Sequence, residues 1–195
     1  MSIRISMSLL KFLTLSSCVT LGFSDDTYFK SCPKLRGMRS FNISEAKGKW
    51  YEVGRFGALP EYAGTCVHID FQETNAVDSF STHVYHQHLG GWSKWHTIGT
   101  SKFRYPEKTA DFKLVVDMRL LSSIPLEYSI LEMDYKNVGI IWTCLEKSPG
   151  IHNEGLWIIA RTPQPSSEDS NKVRMKLRTL GLDPQQLKEI VNNNC

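Results

Sequence analysis

The stretch Cys66-Val-His-Ile-Asp-Phe-Gln72 alternates between apolar and polar side chains. In an extended chain, Val67, Ile69 and Phe71 point to one side and the polar residues between them point to the other. This period of two is typical of a β-strand with one buried face. The stretch 112–118 repeats the pattern, with four apolar side chains on one face. The two stretches therefore predict strands of a sheet that covers a core.

Working outward, the sequence contains eight such runs in order. They are Lys49–Phe56, Cys66–Gln72, Ser79–Leu89, Trp92–Phe103, Phe112–Met118, Leu126–Asp134, Val138–Leu145 and Leu156–Arg161. Turn residues separate them, and the connections are too short for crossover helices, which favours an antiparallel meander. No second set of strands is left to form a sandwich, and closing the sheet removes its exposed edges. We therefore predict an all-β, eight-stranded, antiparallel up-and-down barrel.

One helix is predicted after the strands. Ser166 is a good N-cap, and acidic residues follow it in the first turn. Val173, Leu177 and Leu180 then recur at helical spacing, and Gly181 supplies a stop. A single apolar stripe surrounded by charged residues indicates a C-terminal α-helix packed on the outside of the barrel.

Residues 1–24 have the pattern of a secretory signal peptide. Arg4 and Lys11 are the only charged residues, an apolar run covers Phe12–Phe23, and two aspartates follow directly. A membrane anchor is the alternative, but about twelve apolar residues fall short of the ~20 that a spanning helix needs. A bacterial lipoprotein cleavage box ending at Cys18 is a weaker alternative. We therefore predict a signal peptide over 1–24 and a single domain over 25–195.

The charge balance excludes a nucleic-acid partner. The 195 residues carry 23 basic and 20 acidic side chains, a net charge of +3, and loss of two basic residues with the leader leaves about +1. No strongly basic field remains to attract phosphates. With no later stretch of membrane-spanning length, the mature protein is expected to be soluble, secreted and extracellular.

Four cysteines remain after the leader, namely Cys32, Cys66, Cys144 and Cys195. In an exporting compartment an even number this small predicts two disulfides, and spacing alone leaves all three pairings open. Zinc binding is disfavoured because no two cysteines lie close in sequence. The triplet beginning at Asn42 is an N-glycosylation acceptor, so we also expect a glycoprotein.

Three motifs resemble those of the lipocalin family. The segment Gly48-Lys-Trp50-Tyr-Glu-Val53 resembles its first conserved region, Gly-x-Trp-Tyr. Residues 133–137, Met-Asp-Tyr-Lys-Asn, resemble the Thr-Asp-Tyr stretch between the sixth and seventh strands, although Met133 and Val138 depart from the usual threonine and tyrosine. Residues 156–161, which end in Arg161, resemble the end of the eighth strand. The resemblance covers nearly the whole predicted mature chain.

Within that family, the chain is similar to the branch of apolipoprotein D and the insect bilin-binding lipocalins. Cys32-Pro33 and the stretches 62–66 and 139–144 carry this likeness. The resemblance implies the disulfides Cys32–Cys144 and Cys66–Cys195. It also implies that Trp50, after Gly48, closes one end of the barrel with Arg161 across its indole, and we interpret all three as structural residues.

The resemblance also implies which residues point into the barrel. An eight-stranded barrel is just wide enough for one small ligand, provided that its own side chains leave room. With alternation along each strand, the expected ligand-binding residues are Ile69, Phe71, Leu114, Val116, Met118, Tyr128, Ile141 and Trp157. For each of them the alternative is ordinary core packing.

The resemblance implies a carrier of a small hydrophobic molecule: a fatty acid, a sterol or other terpenoid, or a bilin. We expect no cofactor besides this ligand. The strand histidines His83, His86, His88 and His96 indicate polar surface or pocket groups rather than a metal site, since no carboxylate or cysteine completes a ligand set.

Two other classes of function stay open. The segments Ala58–Tyr62 and Leu120–Leu126, at the expected open end, would serve a receptor or a membrane surface. An enzyme is disfavoured, because the sequence has no Gly-x-Ser-x-Gly, glycine-rich phosphate loop or His-Glu-x-x-His, and no catalytic residue is assigned.

Overall fold

The strands form one closed antiparallel barrel. The computed structural model describes residues 31–57, 65–88, 93–105, 109–116, 125–148, 151–190 and 192. The barrel strands are β1 (Gly48–Phe56), β2 (Thr65–Glu73), β3 (Ser79–His88), β4 (Ser93–Phe103), β5 (Asp111–Val116), β6 (Pro125–Met133), β7 (Val138–Ser148) and β8 (Ile151–Ala160). Each strand pairs with the next, and β1 pairs with both β2 and β8. The predicted eight-stranded up-and-down barrel is therefore confirmed.

The strand boundaries differ most from the prediction in β8. This strand begins at Ile151, five residues before the predicted start. Its polar first half has no strand pattern of its own, but Asn153 and Glu154 pair in register with Leu145 and Cys144 of β7. Backbone hydrogen bonds to β7 thus extend β8 where side-chain periodicity gives no signal.

The C-terminal helix lies on the outer face of the barrel, as predicted. It is α2 (Ser167–Thr179), and the side chain of its N-cap Ser166 accepts a hydrogen bond from the Asp169 N–H. Val173 and Leu177 are buried against the outward side chains of β6, β7 and β8, such as Ile158. The helix thus covers an apolar strip of the barrel wall.

Smaller elements complete the fold. A four-residue helix, α1 (Ile43–Ala46), precedes β1, and Asn42 is its N-cap. The Asp183-Pro184 pair starts a 3₁₀ turn over Pro184–Gln186, and β9 (Lys188–Glu189) pairs with β1 on the outside. Neither α1 nor β9 has a periodic pattern long enough to be predicted from the sequence.

The chain before α1 crosses one end of the barrel. Its Met38 N–H donates to the Ile130 carbonyl of β6, and the Gly37 N–H donates to Asp111 Oδ1 at 2.9 Å. A Cβ at Gly37 would lie 2.3 Å from the Ala110 carbonyl carbon, so this close approach requires glycine. The crossing brings this segment onto the closed end of the barrel.

Two apolar clusters hold the structure together. One fills the barrel interior around Trp50, and the other lies between the outer wall and α2. A disulfide joins Cys32 to Cys144 with a Cα–Cα distance of 5.8 Å, which confirms that pairing. Cys66 is also disulfide-bonded, while Cys195 lies outside the described residues.

Candidate ligand-binding site

The closed end of the barrel is built around Trp50. Its side chain is fully buried, and the indole N–H donates to the Ala46 carbonyl at 2.7 Å. The Arg161 guanidinium lies 3.9 Å above the ring centroid. It also donates to the backbone carbonyls of Glu45 and Lys47 at 3.0 and 2.9 Å. The arginine thus covers the indole, as the resemblance implied. It also joins α1 to the end of β8, a connection that was not predicted.

The turn between β6 and β7 supports this floor. The Asp134 carboxylate accepts the backbone N–H groups of residues 136, 137 and 138. Tyr135 has a φ of +63°, and its carbonyl accepts a hydrogen bond from Arg161 Nε. Because Asp134 organises the turn through backbone N–H groups, the side chains of Met133 and Val138 are not needed for it, and those two departures from the family pattern leave the turn intact. Gly48, with a φ of +91°, begins β1 beside Arg161.

Above the floor, aromatic side chains fill the lower half of the barrel. Phe71, Phe80 and Phe112 are almost fully buried, and Phe80 contacts the other two edge-on at centroid distances of 5.6 and 5.0 Å. Phe41 packs against the same group, 5.2 Å from Phe112. This part of the interior is therefore core rather than binding space.

The upper half of the barrel holds a cavity of about 70 Å³ with mostly apolar walls. Its lining consists of Glu52, Val67, Ile69, Phe71, Thr82, Val84, Leu114, Leu126, Tyr128, Ile141 and Trp157. The volume is well below the ~300–1,000 Å³ typical of pockets for drug-sized ligands. The barrel is therefore less hollow than expected, because the phenyl rings below occupy most of the lumen.

Six predicted ligand-binding residues line this cavity, and their contact with a ligand stays a prediction. These are Ile69, Phe71, Leu114, Tyr128, Ile141 and Trp157. Val116 is partly buried and packs against the interior cluster without being part of this lining, and its contact with a ligand likewise stays a prediction. Met118 lies outside the described residues.

Five lining residues were missed by sequence reasoning. Val67, Val84 and Leu126 follow from extending the alternation along β2, β3 and β6. Glu52 also follows from alternation, two residues after Trp50, but a carboxylate is an unusual residue to expect inside an apolar barrel. Thr82 is the fifth.

A hydroxyl network forms one polar patch on the cavity wall. The Tyr128 hydroxyl donates to Ser101 Oγ at 2.9 Å, and Ser101 Oγ lies 2.7 Å from Thr82 Oγ1. Burial raises the pKa of Tyr128 above its usual value, and the hydrogen bonds with Ser101 and Thr82 oppose this. The phenol is therefore neutral at physiological pH, and its proton is already held by Ser101.

Glu52 is the second polar group of the cavity. Its side chain is only 2% exposed, and Arg55 Nε lies 3.3 Å from Oε1. Burial raises the pKa of Glu52 to about 7, although the positive charge of Arg55 opposes the shift. A carboxyl group that holds or releases a proton near neutral pH therefore faces an apolar space.

The strand histidines lie in two different environments. On the outer face, His83 Nδ1 lies 3.1 Å from His96 Nε2, and Tyr85 stacks on His96. His86 is buried and stacks on Trp95, and the side chain of His88 is outside the described set. Over the described residues, no three His, Cys, Asp or Glu side chains form a group that would hold a metal ion.

A larger groove lies outside the barrel. It has a volume of about 330 Å³ and is bordered by α2, β1 and the segment after β9. Polar residues such as Arg174, Glu189 and Asn192 share its walls with apolar ones, and none of the predicted ligand-binding residues lines it.

The two segments expected at the open end lie largely outside the described residues, because 58–62 and 120–124 are not described. In the part of the chain that is described, no helix is long and apolar enough to span a membrane.

Comparison with known proteins agrees with this architecture. The family model of the lipocalin-like domain matches residues 41–192. The chain is 28% identical over 160 residues to the Lazarillo protein of Schistocerca americana, covering 78% of this chain and 70% of that protein. It is 24% identical over 191 residues to apolipoprotein D of Mus musculus, covering 97% of each.

Solved structures share the fold at lower identity. Insecticyanin from Manduca sexta superposes with a TM-score of 0.73 at 18% identity, covering 84% of this chain and 87% of that one. The tryptamine complex of the amine-binding protein of Rhodnius prolixus gives a TM-score of 0.65 at 17% identity, covering 81% and 85%. With the family model matching most of the sequence, the chain belongs to the lipocalin family, whose members bind small hydrophobic ligands inside the barrel.

Proposed function

We propose that this protein is a secreted carrier that binds a small, mainly apolar molecule in the upper half of its barrel. The observation that supports this most directly is the cavity itself, with apolar walls between Ile69, Leu114 and Trp157 and a floor sealed by Trp50. Function then consists of moving an apolar surface out of water into a preformed space, without chemical change.

The driving force is burial of apolar surface. Each square ångström of apolar ligand surface removed from water contributes about 25 cal/mol. Strand pairing all round the closed barrel holds the walls in place, so little conformational entropy is lost on binding.

The size of the cavity restricts the ligand. A space of about 70 Å³ holds roughly five water-sized groups. The cavity therefore suits a slender molecule, or the narrow inner end of a longer one that extends toward the open end. Among the candidate ligands, this favours fatty acyl and linear terpenoid chains over a broad bilin.

Secretion is part of the proposal and rests on the leader-like residues 1–24. Cells of an exporting expression host that express the full chain should release a protein whose N-terminal sequence begins at Asp25. Retention inside the cell with the leader still attached would contradict secretion and leave the binding proposal to be judged separately.

The bound ligand is best identified by native mass spectrometry of the protein from its own source, followed by organic extraction. We expect a mass difference that disappears on extraction and matches one lipophilic molecule. An absorption band in the visible range would identify a bilin and contradict the size argument. A purified ligand that returns chemically altered after incubation would contradict a pure carrier and indicate an enzyme.

A further inference from the structure

The first strand carries a bulge that changes which side chains face the barrel interior. The register of β1 on β8 shifts between Glu52 and Gly54, so that Glu52 lies opposite Ile159 and Arg55 lies opposite Trp157. Opposed residues of neighbouring antiparallel strands share a face. Ile159 belongs to the interior cluster and Trp157 lines the cavity, so both charged residues face inward.

Without the bulge, only one of the two would face inward. Simple alternation from Trp50 puts Glu52 inside and puts Arg55, three residues later, outside. Bulges are frequent next to functional sites, where they redirect a side chain. Here the extra residue brings the Arg55 cation beside the buried carboxylate of Glu52. Glu52 lines the mostly apolar cavity, and Arg55 lies behind it, outside the lining.

Both members of this pair have unused hydrogen-bonding capacity. Glu52 Oε1 and Arg55 Nη1 are buried, and neither has a hydrogen-bond partner among the described residues. The 3.3 Å approach of Arg55 Nε to Oε1 brings the charges together without satisfying either atom. A buried acceptor and a buried donor left unpaired cost folding free energy unless another molecule supplies the missing partner.

We propose that the Glu52–Arg55 pair is the polar anchor of the cavity, and that it selects an apolar ligand whose inner end carries a hydroxyl group. The ligand O–H donates to Glu52 Oε1, and the same oxygen accepts from Arg55 Nη1. One hydroxyl thus satisfies both orphaned atoms and leaves the charge of the pair unchanged. This inference rests on the proposed carrier function and specifies the ligand's chemical class.

Charge balance favours a ligand whose inner end carries a hydroxyl group over one that carries an ammonium or a carboxylate group. An ammonium group beside the pair would add a positive charge next to Arg55 in a poorly solvated space. A carboxylate would add a negative charge next to Glu52, and binding it would require Glu52 to hold a proton. A neutral hydroxyl meets neither penalty.

The test uses four ligands built on a straight chain of twelve carbons: 1-dodecanol, 1-methoxydodecane, dodecylamine and dodecanoate. Each competes at pH 8 with the neutral fluorophore N-phenyl-1-naphthylamine for the wild-type barrel. The methyl ether keeps the oxygen acceptor and lacks the donor. We expect 1-dodecanol to displace the fluorophore at about tenfold lower concentration than the ether, the value of one hydrogen bond to a charged group. We expect the amine and the carboxylate to compete more weakly than the alcohol.

A double variant tests the residues. Glu52→Leu with Arg55→Met replaces the pair by apolar side chains of similar length, a change that buried ion pairs often tolerate. We expect this variant to bind N-phenyl-1-naphthylamine and to lose the preference for 1-dodecanol over the ether. The matched control is Arg104→Met with Glu127→Leu, which removes a more exposed ion pair with a 3.0 Å contact. The control should keep the preference.

The outcomes separate the anchor from the carrier function. If the wild-type protein binds neither N-phenyl-1-naphthylamine nor any of the four chain ligands, the proposed function fails, and the anchor with it. Native mass spectrometry measures the chain ligands directly, and it ranks them if the fluorophore alone does not bind. If the fluorophore binds but the alcohol and the ether compete equally, the anchor alone is wrong. Tighter binding of dodecylamine or dodecanoate would also overturn it, and so would a double variant that binds the fluorophore and retains the alcohol preference.

Discussion

Trp157 combines two roles at the scale of single residues. Its indole forms part of the cavity wall, and its backbone lies opposite Arg55 in the β1–β8 pairing. Its strand is hydrogen-bonded on both sides, so the backbone position from which the side chain extends is set before any ligand arrives. Such rigid aromatic surfaces commonly supply a large share of binding energy.

We therefore expect Trp157→Ala to weaken binding of N-phenyl-1-naphthylamine by about tenfold or more, through loss of buried contact area. A fluorescence titration of variant and wild-type protein measures this. Trp95→Ala is the control, since Trp95 is 59% exposed and is not part of the cavity lining. If Trp157→Ala and the wild-type protein bind the fluorophore with equal affinity, the ligand does not bind in the cavity that Trp157 lines.

The burial of Glu52 makes stability depend on pH. Its ordinary pKa of 4.5 is raised to about 7 in the folded protein. Between these values the unfolded chain has released a proton that the folded protein still holds, so stability falls as pH rises through this window. The loss amounts to about 3 kcal/mol by pH 8, given 1.36 kcal/mol per pKa unit.

Urea unfolding at pH 5 and pH 8 measures this effect. Glu52→Gln cannot ionise, so its free energy of unfolding should fall by about 2.5 kcal/mol less than that of the wild-type protein between the two pH values. Glu127→Gln, an exposed carboxyl on β6, is the control and should behave like the wild type. The same decrease in Glu52→Gln as in the wild type would show that Glu52 ionises normally.

At the scale of elements, the closed end depends on one arginine that joins α1, β1 and the end of β8. Arg161 stacks on the indole of Trp50 and donates hydrogen bonds to the carbonyls of Glu45, Lys47 and Tyr135. This combination requires a planar group with several donors, which lysine lacks. The floor is therefore sensitive to a substitution that preserves charge.

Arg161→Lys should lower the free energy of unfolding by about 2 kcal/mol, because two or more hydrogen bonds and the stacking are lost together. Thermal or urea unfolding measures the difference. Arg174→Lys is the matched control: its Nη2 contacts Glu189 at 2.6 Å on the surface, and its loss should cost about 0.5 kcal/mol or less. Affinity for N-phenyl-1-naphthylamine should change little in either variant, since neither arginine lines the cavity.

At the scale of the whole molecule, the disulfide links the start of the described chain to the seventh strand. Cys32 and Cys144 are 112 residues apart in sequence. A bond that closes so long a loop restricts the unfolded chain strongly, while the folded barrel gains little from it. The stabilisation by the disulfide therefore adds to the stabilisation by the apolar core, whose lower half is filled by phenyl rings.

Replacing Cys32 and Cys144 together with alanine should lower the free energy of unfolding by about 3–5 kcal/mol, the range expected for a loop of this length. Urea unfolding under oxidising conditions measures the loss. Adding reductant should destabilise the wild-type protein more than the variant, since the variant lacks this bond. Equal stability of the variant and the oxidised wild-type protein would show that the bond adds nothing to the fold.

How far the sequence could predict this protein depends on the range of the interactions involved. The barrel strands and the outer helix follow from features that are local in sequence: alternation in 66–72 and 112–118, and the helical stripe of Val173 and Leu177. The contact of Arg161 with Trp50 was implied by the resemblance to the lipocalin motifs, since the two residues lie far apart in sequence. Each strand's pattern is set by the need to keep one side apolar, which neighbouring residues alone express.

The cavity was decided only by the tertiary structure. Its volume is what remains after Phe41, Phe80 and Phe112, from three separate segments, have packed against one another. The inward position of Arg55 depends on a bulge that exists only in the pairing with β8, and strand alternation alone places it outside. Free volume and strand register are properties of many residues that are distant in sequence, so no local pattern contains them.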